Sequence, residues 1–545
     1  MTRHLVSCPK KKARLEPGQQ LLQLSQSKIT VDVKKQLHAL VQRWIVRDQQ
    51  SLSVLDHPDF RAFLSALPGD HMCPSRFVMK ASIMSDYAAV KNAVKARLAA
   101  APGKIALTTD AWTAGNGDQY SFLCLTAHWI DERWKLGNLL LDFAPFPVPH
   151  TTANAADLIR RALQELGIEN KVSACVTDNT ASAYNISKIL GQHMAPASFF
   201  QGRCAAHLIN LVVKHGLDDA GRDEIFNKCR TFVTYVHRSK PIEAVLIAAC
   251  ENAGIKYKIP PTVMDVRWNS TLAQLLSLQR LEPALRIMFA ERAHAESAWS
   301  EPVWVAIRDI VKILAVFRDV SEHLQGRLFP TMSTAAQGFV LMTQELKDLQ
   351  ASATLSTWGI EIIKLFQTRL TEYRHHMIDT NVVLWAKILD PSMKAEVIVQ
   401  DRVHRLYDVT SSMASHLEAH YPTPTQGSNQ LLPTRPGNQP ISGYQKRLQK
   451  FVAEKESTAI PPRKQLEMYM AEPTIATMSP SDALTFWAAN EGQFPSLAAM
   501  ARDILAIPAT SVPSEAAFSR GGELVTKRRN RLAGSTVTAI MCLDS

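Results

Sequence analysis

The sequence predicts a mixed α/β protein that contains a long all-helical segment. Between residues 104 and 143, turn residues separate three short apolar or alternating runs: KIALTTD, YSFLCLTAHWID and KLGNLLLDF. A capped amphipathic helix, TTANAADLIRRALQELG, then precedes a fourth run, KVSACVTD. From Leu272 to Leu417, apolar residues recur at helical spacing instead. Three strands followed by a helix, a strand and a helix indicate an α/β unit, and the later periodicity indicates a large α-helical one.

The composition excludes a disordered chain and a membrane-spanning one. Of the 545 residues, 46% are hydrophobic and 20% are charged, which is enough apolar surface for several packed cores. No apolar run reaches membrane-spanning length, and no secretory signal opens the chain. The formal net charge of +11 fits a polyanionic partner such as nucleic acid. Eight cysteines show no paired CxxC spacing, so we expect reduced core thiols in an intracellular protein.

Two acids follow two of the predicted strands. Asp110 comes after IALTT, and Asp178 comes after SACVT. Carboxylates at the carboxyl ends of sheet strands point into the crevice where α/β folds place their sites. An Asp at this point also commonly closes a turn or caps a helix, and for Asp178 followed by Asn179 that explanation is the more common one. The strand pattern alone leaves both interpretations open.

The C-terminal stretch 494–532 predicts two short helices. Apolar residues recur at helical spacing until Pro508 ends the first helix. Ser511 offers a cap for the second helix, and the glycine pair 521–522 is expected to end it. Glu515 then falls in the first turn, where the helix dipole favours an acid for structural reasons alone.

Basic residues form two short runs that also have two interpretations. PKKKARL at residues 9–15 has the composition of a nuclear import signal, and a second run follows Glu515 at residues 527–531. Either run is also typical of a solvated surface that binds nothing.

Two further motifs carry candidate functional side chains. Cys204 and His207 have CxxH spacing, but no second pair lies near them, so a buried thiol beside an imidazole is the simpler interpretation and no zinc is assigned. Arg267 and Trp268 stand together in MDVRWNSTLAQL, where a Trp before a capped helix usually packs in a core.

Together these motifs resemble those of the hAT superfamily of DNA transposases. The resemblance runs from about Trp44 to Asp544 and includes TTDAW, VTDNTASAYN, RCAAH, RWNS, ILDPSMK and the stretch from FPSL to RRNRL. It implies an α/β fold with an RNase H-like catalytic core, interrupted by a large all-α insertion domain and preceded by a small N-terminal helical module. One departure is Ala516, where the family often has Arg. The BED-type zinc finger that many members carry has no counterpart in this sequence.

The resemblance also implies a site. By position, Asp110, Asp178 and Glu515 match the three acids that hold two divalent cations, Mg2+ or Mn2+, in these enzymes. His207 would support catalysis or contact DNA, and Trp268 would stack on a base flipped out of the duplex. The expected DNA-binding residues are Arg267, Arg528, Arg529 and Arg531.

The expected segments follow from the same motifs. They are a basic flexible N-terminus (1–30), a helical N-terminal module (31–100), the first part of the RNase H-like core (101–220), an all-α insertion (221–420), a Pro/Gly-rich linker (421–445), a helical lead-in (446–489), and the last part of the core with the hAT dimerisation region (490–545).

The sequence therefore predicts an hAT-type transposase or transposase-derived nuclear protein that binds DNA, forms a homodimer or higher homo-oligomer, and cleaves DNA with a metal. The apolar face from Phe494 to Leu505 and the helix after Arg531 are expected to mediate dimerisation. The alternative is a domesticated, non-catalytic DNA-binding and dimerisation protein. The three acids favour the enzyme, whereas the missing finger and the chain end at Ser545, inside the expected last helix, favour the alternative. A generic RNase H-like nuclease is a third interpretation.

Overall fold

A computed structural model provides the structure of the protein. It describes residues 31–66, 74–113, 121–194, 198–219, 223–263, 268–291, 298–378, 380–394, 403–423, 447, 460–475, 482–525 and 532–545. The chain divides into two compact units, one within Met1–Tyr87 and one within Ala88–Leu543. Four predicted DNA-binding residues, Arg267, Arg528, Arg529 and Arg531, lie outside the described residues, as do the run at 9–15 and nearly all of the predicted linker.

The first unit is helical. Its elements are α1 (Val31–Arg47), a 3-10 turn (Leu52–Asp56), α2 (Pro58–Ser65) and the beginning of α3 (Arg76–Ala100). Within it, Gln42 Nε2 donates a hydrogen bond to Asp86 Oδ2 (2.6 Å), and Ser82 Oγ donates to Gln42 Oε1 (2.7 Å). These bonds join α1 to the first part of α3.

The second unit contains a five-stranded mixed sheet. The strands are β1 (Ile105–Thr113), β2 (Ser121–Ile130), β3 (Leu136–Pro145), β4 (Val172–Thr177) and β5 (Phe200–Arg203), in the spatial order β3-β2-β1-β4-β5. β1 pairs antiparallel with β2, and β2 pairs antiparallel with β3; β1 with β4 and β4 with β5 are parallel. The mixed α/β class and the predicted order of strands are confirmed.

The strand register places the two predicted aspartates side by side on neighbouring strands. Asp178 follows β4 as predicted, whereas Asp110 does not follow its strand but lies inside β1, which continues to Thr113 because its pairing with β2 extends that far. Thr108 of β1 lies beside Val176 of the parallel strand β4. Two residues further on, Asp110 and Asp178 therefore reach the same level of the sheet. The strand order therefore brings the two aspartates together, because β1 and β4 are neighbours in the sheet although β2, β3 and a helix separate them along the chain.

Helices cover both faces of the sheet because strand residues alternate between them. Leu107 and Cys175 belong to a core shared with α4 (Thr152–Leu166) and α5 (Ala181–Met194). Ala106, Ala174 and Val176 belong to a second, larger core. That core includes α6 and most of the later helices. The helices from the first of these to the predicted linker are α6 (Ala205–Asp219), α7 (Asp223–Arg238), α8 (Lys240–Asn252), α9 (Trp268–Ala290), α10 (Glu301–Leu324), α11 (Met332–Ala351), α12 (Thr357–Ile378), α13 (Asn381–Ile388) and α14 (Val403–His420).

The remaining helices return the chain to the sheet. They are α15 (Pro462–Ala471), α16 (Asp482–Asn490), α17 (Pro495–Leu505), α18 (Val512–Leu524) and α19 (Gly534–Asp544). The two short helices predicted in the C-terminal stretch correspond to α17 and α18. α18 packs against β1 and β2, so it brings Glu515 to the strand that carries Asp110.

The structure corrects the predicted dimer contact. Phe494, Leu497, Met500 and Ile504 are fully buried within this chain, because α17 packs against α13, α15 and β2. In α19, the residues from Thr536 to Cys542 are buried as well. The apolar face of α17 is therefore part of the chain's own core, and it is not free to form an interface.

Two local expectations for α18 are also wrong. Ser511 precedes the helix but its side chain forms no capping hydrogen bond. The glycine pair does not end the helix, which continues to Leu524. Gly521 instead allows close packing, because a Cβ at this position would lie 2.7 Å from Cζ of Phe143.

The six cysteines in the described ranges are buried and unpaired, as predicted for core thiols: Cys124, Cys175, Cys204, Cys229, Cys250 and Cys542. Among the helices of the described ranges, none combines the length and apolar character needed to cross a membrane.

Candidate functional site

A cavity of about 630 Å3 lies beside Asp110 and Asp178, near the carboxyl end of β4. The structure brings together five of the predicted site residues in its lining: Asp110, Asp178, His207, Trp268 and Glu515. The rest of the lining is Ala111, Trp112, Ala206, Asn210, Asn269, Ser321, Gln325, Val512, Phe518, Ser519 and Gly522. The cavity therefore joins residues of the sheet, α6, α9, α10 and α18.

The pKa of Asp110 is raised to about 7. Burial is the largest cause, the hydrogen bond donated by the Ala111 N–H (2.8 Å) acts in the opposite direction, and the negative charges of Asp178 and Glu515 add to the rise. The carboxyl groups of Asp178 and Glu515 therefore both lie within electrostatic range of Asp110.

Asp178 closes the turn that precedes α5. Its Oδ1 accepts hydrogen bonds from the Thr180 N–H (3.0 Å) and from Thr180 Oγ1 (2.7 Å). The turn-closing interpretation is thus correct for this oxygen. It does not exclude a ligand role, since a carboxylate has a second oxygen with its own lone pairs.

Glu515 lies in the first turn of α18, and the loop before this helix is held by Cys204. The Ser511 N–H donates to Cys204 Sγ (3.3 Å), and the His207 N–H donates to the same sulfur (3.4 Å). The Cys204 N–H in turn donates to the Thr177 carbonyl (2.9 Å) at the end of β4. Cys204 therefore connects to the end of β4 through its backbone N–H and to the starts of α6 and α18 through its buried thiol, so it has a structural role, as the buried-thiol interpretation predicted.

His207 and Trp268 line the cavity from two helices. His207 lies half-buried in the first turn of α6. Trp268 begins α9 and is only 7% exposed, so it packs in the core while part of it borders the cavity. The core-packing interpretation accounts for its burial, and its position at the cavity wall leaves the stacking role as a prediction.

Sequence reasoning missed several polar lining residues. Asn210 follows His207 by one helical turn, so the helical spacing of α6 could have identified it. Ser321 and Gln325 lie on α10 and just after it, and Gln325 Nε2 donates to the Ser321 carbonyl (2.9 Å). No local motif marks these two residues, because only the packing of α10 brings them to the cavity.

The donor set fits a hard divalent cation by its chemistry. Mg2+ and Mn2+ prefer carboxylate oxygens, and a cation would offset both the burial and the repulsion that raise the pKa of Asp110. Within the described ranges, no three His, Cys, Asp or Glu side chains lie close enough together to hold one ion. The acids therefore share one cavity without converging on a single point.

Comparison with known proteins gives three family matches. Residues 108–204 match the ZBED1 RNase-like domain, residues 202–313 match the ZBED1 RNase-like helical domain, and residues 465–545 match the hAT family C-terminal dimerisation region. These matches, together with relatives named as transposases, support an hAT-superfamily, transposase-derived protein. The predicted resemblance is confirmed, and the match to the dimerisation region supports self-association.

Similar proteins align with nearly the whole of this chain. It is 26% identical to a putative AC transposase of Zea mays and 25% identical to a putative AC9 transposase of the same species, each over 91% of this chain. These matches cover 63% and 64% of the two relatives, so the chain spans less than two thirds of their length. It is also 23% identical to the zinc finger BED domain-containing protein RICESLEEPER 2 of Oryza sativa subsp. japonica, over 92% of this chain and 73% of that protein.

Proposed function

We propose that this hAT protein cleaves DNA and transfers strands with the help of divalent metal ions. The observation that carries the proposal is the shared cavity of Asp110, Asp178 and Glu515, which come from β1, the end of β4 and α18. The relatives named putative AC transposases over 91% of the chain support the same function.

The three acids would hold Mg2+ or Mn2+. Two such ions, when bound, supply positive charge to the attacking and leaving oxygens of a phosphodiester. The chain's own residues have separate tasks: the carboxylates of Asp110, Asp178 and Glu515 would orient the ions, His207 would contact DNA or support catalysis, and the ring of Trp268 would stack on a displaced base.

The proposed architecture is an RNase H-like core interrupted by an all-α insertion. The five-stranded sheet with α18 against β1 and β2 would be the core, and α7 to α14 would be the insertion. The adjoining family matches at 108–204 and 202–313, followed by the distant match at 465–545, support this division.

DNA binding would involve basic side chains at the cavity and beyond it. Arg267 immediately precedes Trp268, and Arg528, Arg529 and Arg531 follow α18, so these four are proposed to contact phosphates. The net charge of +11 supports a polyanionic partner, and the run at 9–15 supports a nuclear location. Self-association would use surfaces other than the buried face of α17.

An alternative function is DNA binding and self-association without cleavage. Relatives named as zinc finger BED domain-containing proteins, and a putative transcriptional regulator, tpeD, of Talaromyces stipitatus, give this alternative its support.

A comparison of three proteins tests the proposal. Duplex DNA that carries the sequences flanking the protein's own gene would be incubated with Mn2+ and with wild type, Asp178→Asn or Asp157→Asn. Asp157 is the matched control, because this acid lies on α4 in ion pairs with Arg160 and Arg161, outside the cavity. We expect Asp178→Asn to reduce cleavage by at least about 100-fold, the scale of losing one electrostatic stabiliser from an active site.

The outcomes separate the two functions. Cleavage by wild type and Asp157→Asn, with loss in Asp178→Asn, supports the enzyme. DNA binding by wild type without cleavage under any divalent cation supports the alternative. Equal cleavage by wild type and Asp178→Asn contradicts the assigned site.

A further inference from the structure

A buried chain of hydrogen-bonded side chains crosses the sheet next to the acids. His128 Nε2 lies 2.8 Å from Thr126 Oγ1, Thr126 Oγ1 lies 2.5 Å from Thr108 Oγ1, and Thr108 Oγ1 lies 2.7 Å from Ser514 Oγ. All four residues are at most 4% exposed. The chain starts on β2, passes through β1 and ends on α18.

The geometry relates this hydroxyl chain, defined as His128, Thr126, Thr108 and Ser514, directly to the cavity. Thr108 and Thr126 are opposite each other in the antiparallel pair of β1 and β2. Thr108 precedes Asp110 by two residues, so both side chains lie on the same face of β1. Ser514 immediately precedes Glu515 on α18. The bond between Thr108 and Ser514 therefore joins the elements that carry two of the three acids.

The hydrogen bonds along the hydroxyl chain can all donate in the same direction. Burial lowers the pKa of His128 to about 3, so its imidazole is neutral at physiological pH. A neutral Nε2 can accept from Thr126, which then accepts from Thr108, and Thr108 from Ser514. In this arrangement Thr126 and Thr108 each donate one hydrogen bond and accept one, and Ser514 is the first donor.

Apolar packing alone would fix the position of α18 less sharply. Residues of similar volume repack at small cost, whereas a hydroxyl pair needs one particular partner. A shift of α18 by one residue would present Pro513 or Glu515 to Thr108 instead of Ser514.

We propose that the hydroxyl chain is a positioning device that fixes α18 on β1 and thereby sets the distance between Glu515 and Asp110. This inference rests on the proposed metal-dependent function, and it assigns Thr108, Thr126 and Ser514 as positioning residues for the three acids. None of these hydroxyls is required to touch metal or DNA.

The test measures metal binding without DNA or turnover. Tb3+ would be titrated into the full chain, and its luminescence, sensitised by Trp112 and Trp268 in the cavity lining, would report binding; Mn2+ would then compete for the site. The variants are Thr108→Val, which removes the hydroxyl at nearly constant volume, and Thr108→Ser, which keeps it. Thr109→Val is the matched control, because the Thr109 hydroxyl is also buried on β1 but donates to the Cys124 carbonyl (2.9 Å) instead of the hydroxyl chain. Melting temperatures of all variants would be recorded in parallel.

We expect Thr108→Val to weaken Tb3+ and Mn2+ binding by about 10–100-fold, as the loss of a group that orients metal ligands does. Thr108→Ser and Thr109→Val should bind like wild type, even if Thr109→Val melts as early as Thr108→Val. If Thr108→Val does not fold, Ser514→Ala interrupts the chain at its other end and should show the same loss.

Two results would overturn the inference, and they are distinguishable. If wild type binds Tb3+ and Asp110→Asn does not, but Thr108→Val or Ser514→Ala binds like wild type, the positioning role is wrong while the proposed site stands. If wild type does not bind Tb3+, or Asp110→Asn binds it equally well, the proposed metal site is wrong and the positioning role falls with it.

Discussion

The two sides of the cavity are built in different ways. On the sheet side, the elements that carry the acids are joined by a few directional bonds: those at Cys204 Sγ and the one between Thr108 and Ser514. On the helical side, Trp268 and Ser321 are carried by α9 and α10, which are held by broad apolar packing within the larger core. We therefore expect single substitutions on the sheet side to alter the site, and single substitutions on the helical side to alter stability.

The largest expected effect lies in the helical core. Phe366 of α12 is fully buried, has its ring tilted against that of Phe317 of α10 (5.4 Å between ring centroids) and packs against Gly216 of α6. Phe366→Ala should reduce the free energy of unfolding by about 3–5 kcal/mol, because it leaves a cavity where three helices meet. Urea denaturation measures this loss. Tyr407→Ala, at a side chain that is 74% exposed, is the control and should change stability by less than about 0.5 kcal/mol. Equal losses in both variants would contradict the packing described for α12.

The next effect is a gain of stability on the sheet side. Because the pKa of Asp110 is raised in the folded protein, the folded state binds more protons than the unfolded state, and stability falls as the pH rises from about 4 to about 7. Asp110→Asn should therefore stabilise the metal-free protein at pH 8 by about 2 kcal/mol, less than the full shift would give because the carboxyl group is partly hydrated.

Thermal unfolding in EDTA at pH 4.5 and pH 8 measures this effect. The gain should fall to about a quarter at pH 4.5, which lies only slightly above the unfolded pKa. Asp157→Asn should give no gain at either pH, since the hydrogen bond from Arg160 lowers the pKa of Asp157. A destabilised Asp110→Asn at pH 8 would show that the burial of the carboxylate and its repulsion by the other acids do not dominate its energetics.

The smallest effect compares two buried thiols, one from each region. Cys204→Ala removes the acceptor of two buried N–H groups and should reduce the free energy of unfolding by about 1–2 kcal/mol beyond the loss of volume. Cys250→Ala, in the helical core, should show the volume term alone. Chemical denaturation of both variants gives the difference, and Tb3+ titration should show weaker binding only for Cys204→Ala. Equal stability and equal binding in the two variants would mean that directional bonds and apolar packing are interchangeable here.

The sequence by itself determined the local features of this protein. Alternating and helical periodicities gave the order of strands and helices and the position of Asp178 at the end of β4, because periodicity is a property of neighbouring residues. The predicted strand end at Asp110 was wrong, since β1 continues through this residue to Thr113. The same local signals placed Glu515 in the first turn of a helix. They could not bring Glu515 to the aspartates, and only the resemblance to the hAT superfamily predicted that.

Only the tertiary structure decided which surfaces face each other. The apolar face of α17 was expected to form an interface, but it is buried because α13, α14, α15, α16 and β2 of the same chain pack around it. Ser321 and Gln325 carry no motif, yet the packing of α10 puts them in the cavity lining. Thr108 and Ser514 are 406 positions apart and still share a hydrogen bond of 2.7 Å. No local pattern encodes a contact over that separation, since only the packing of α18 on β1 brings the two residues together.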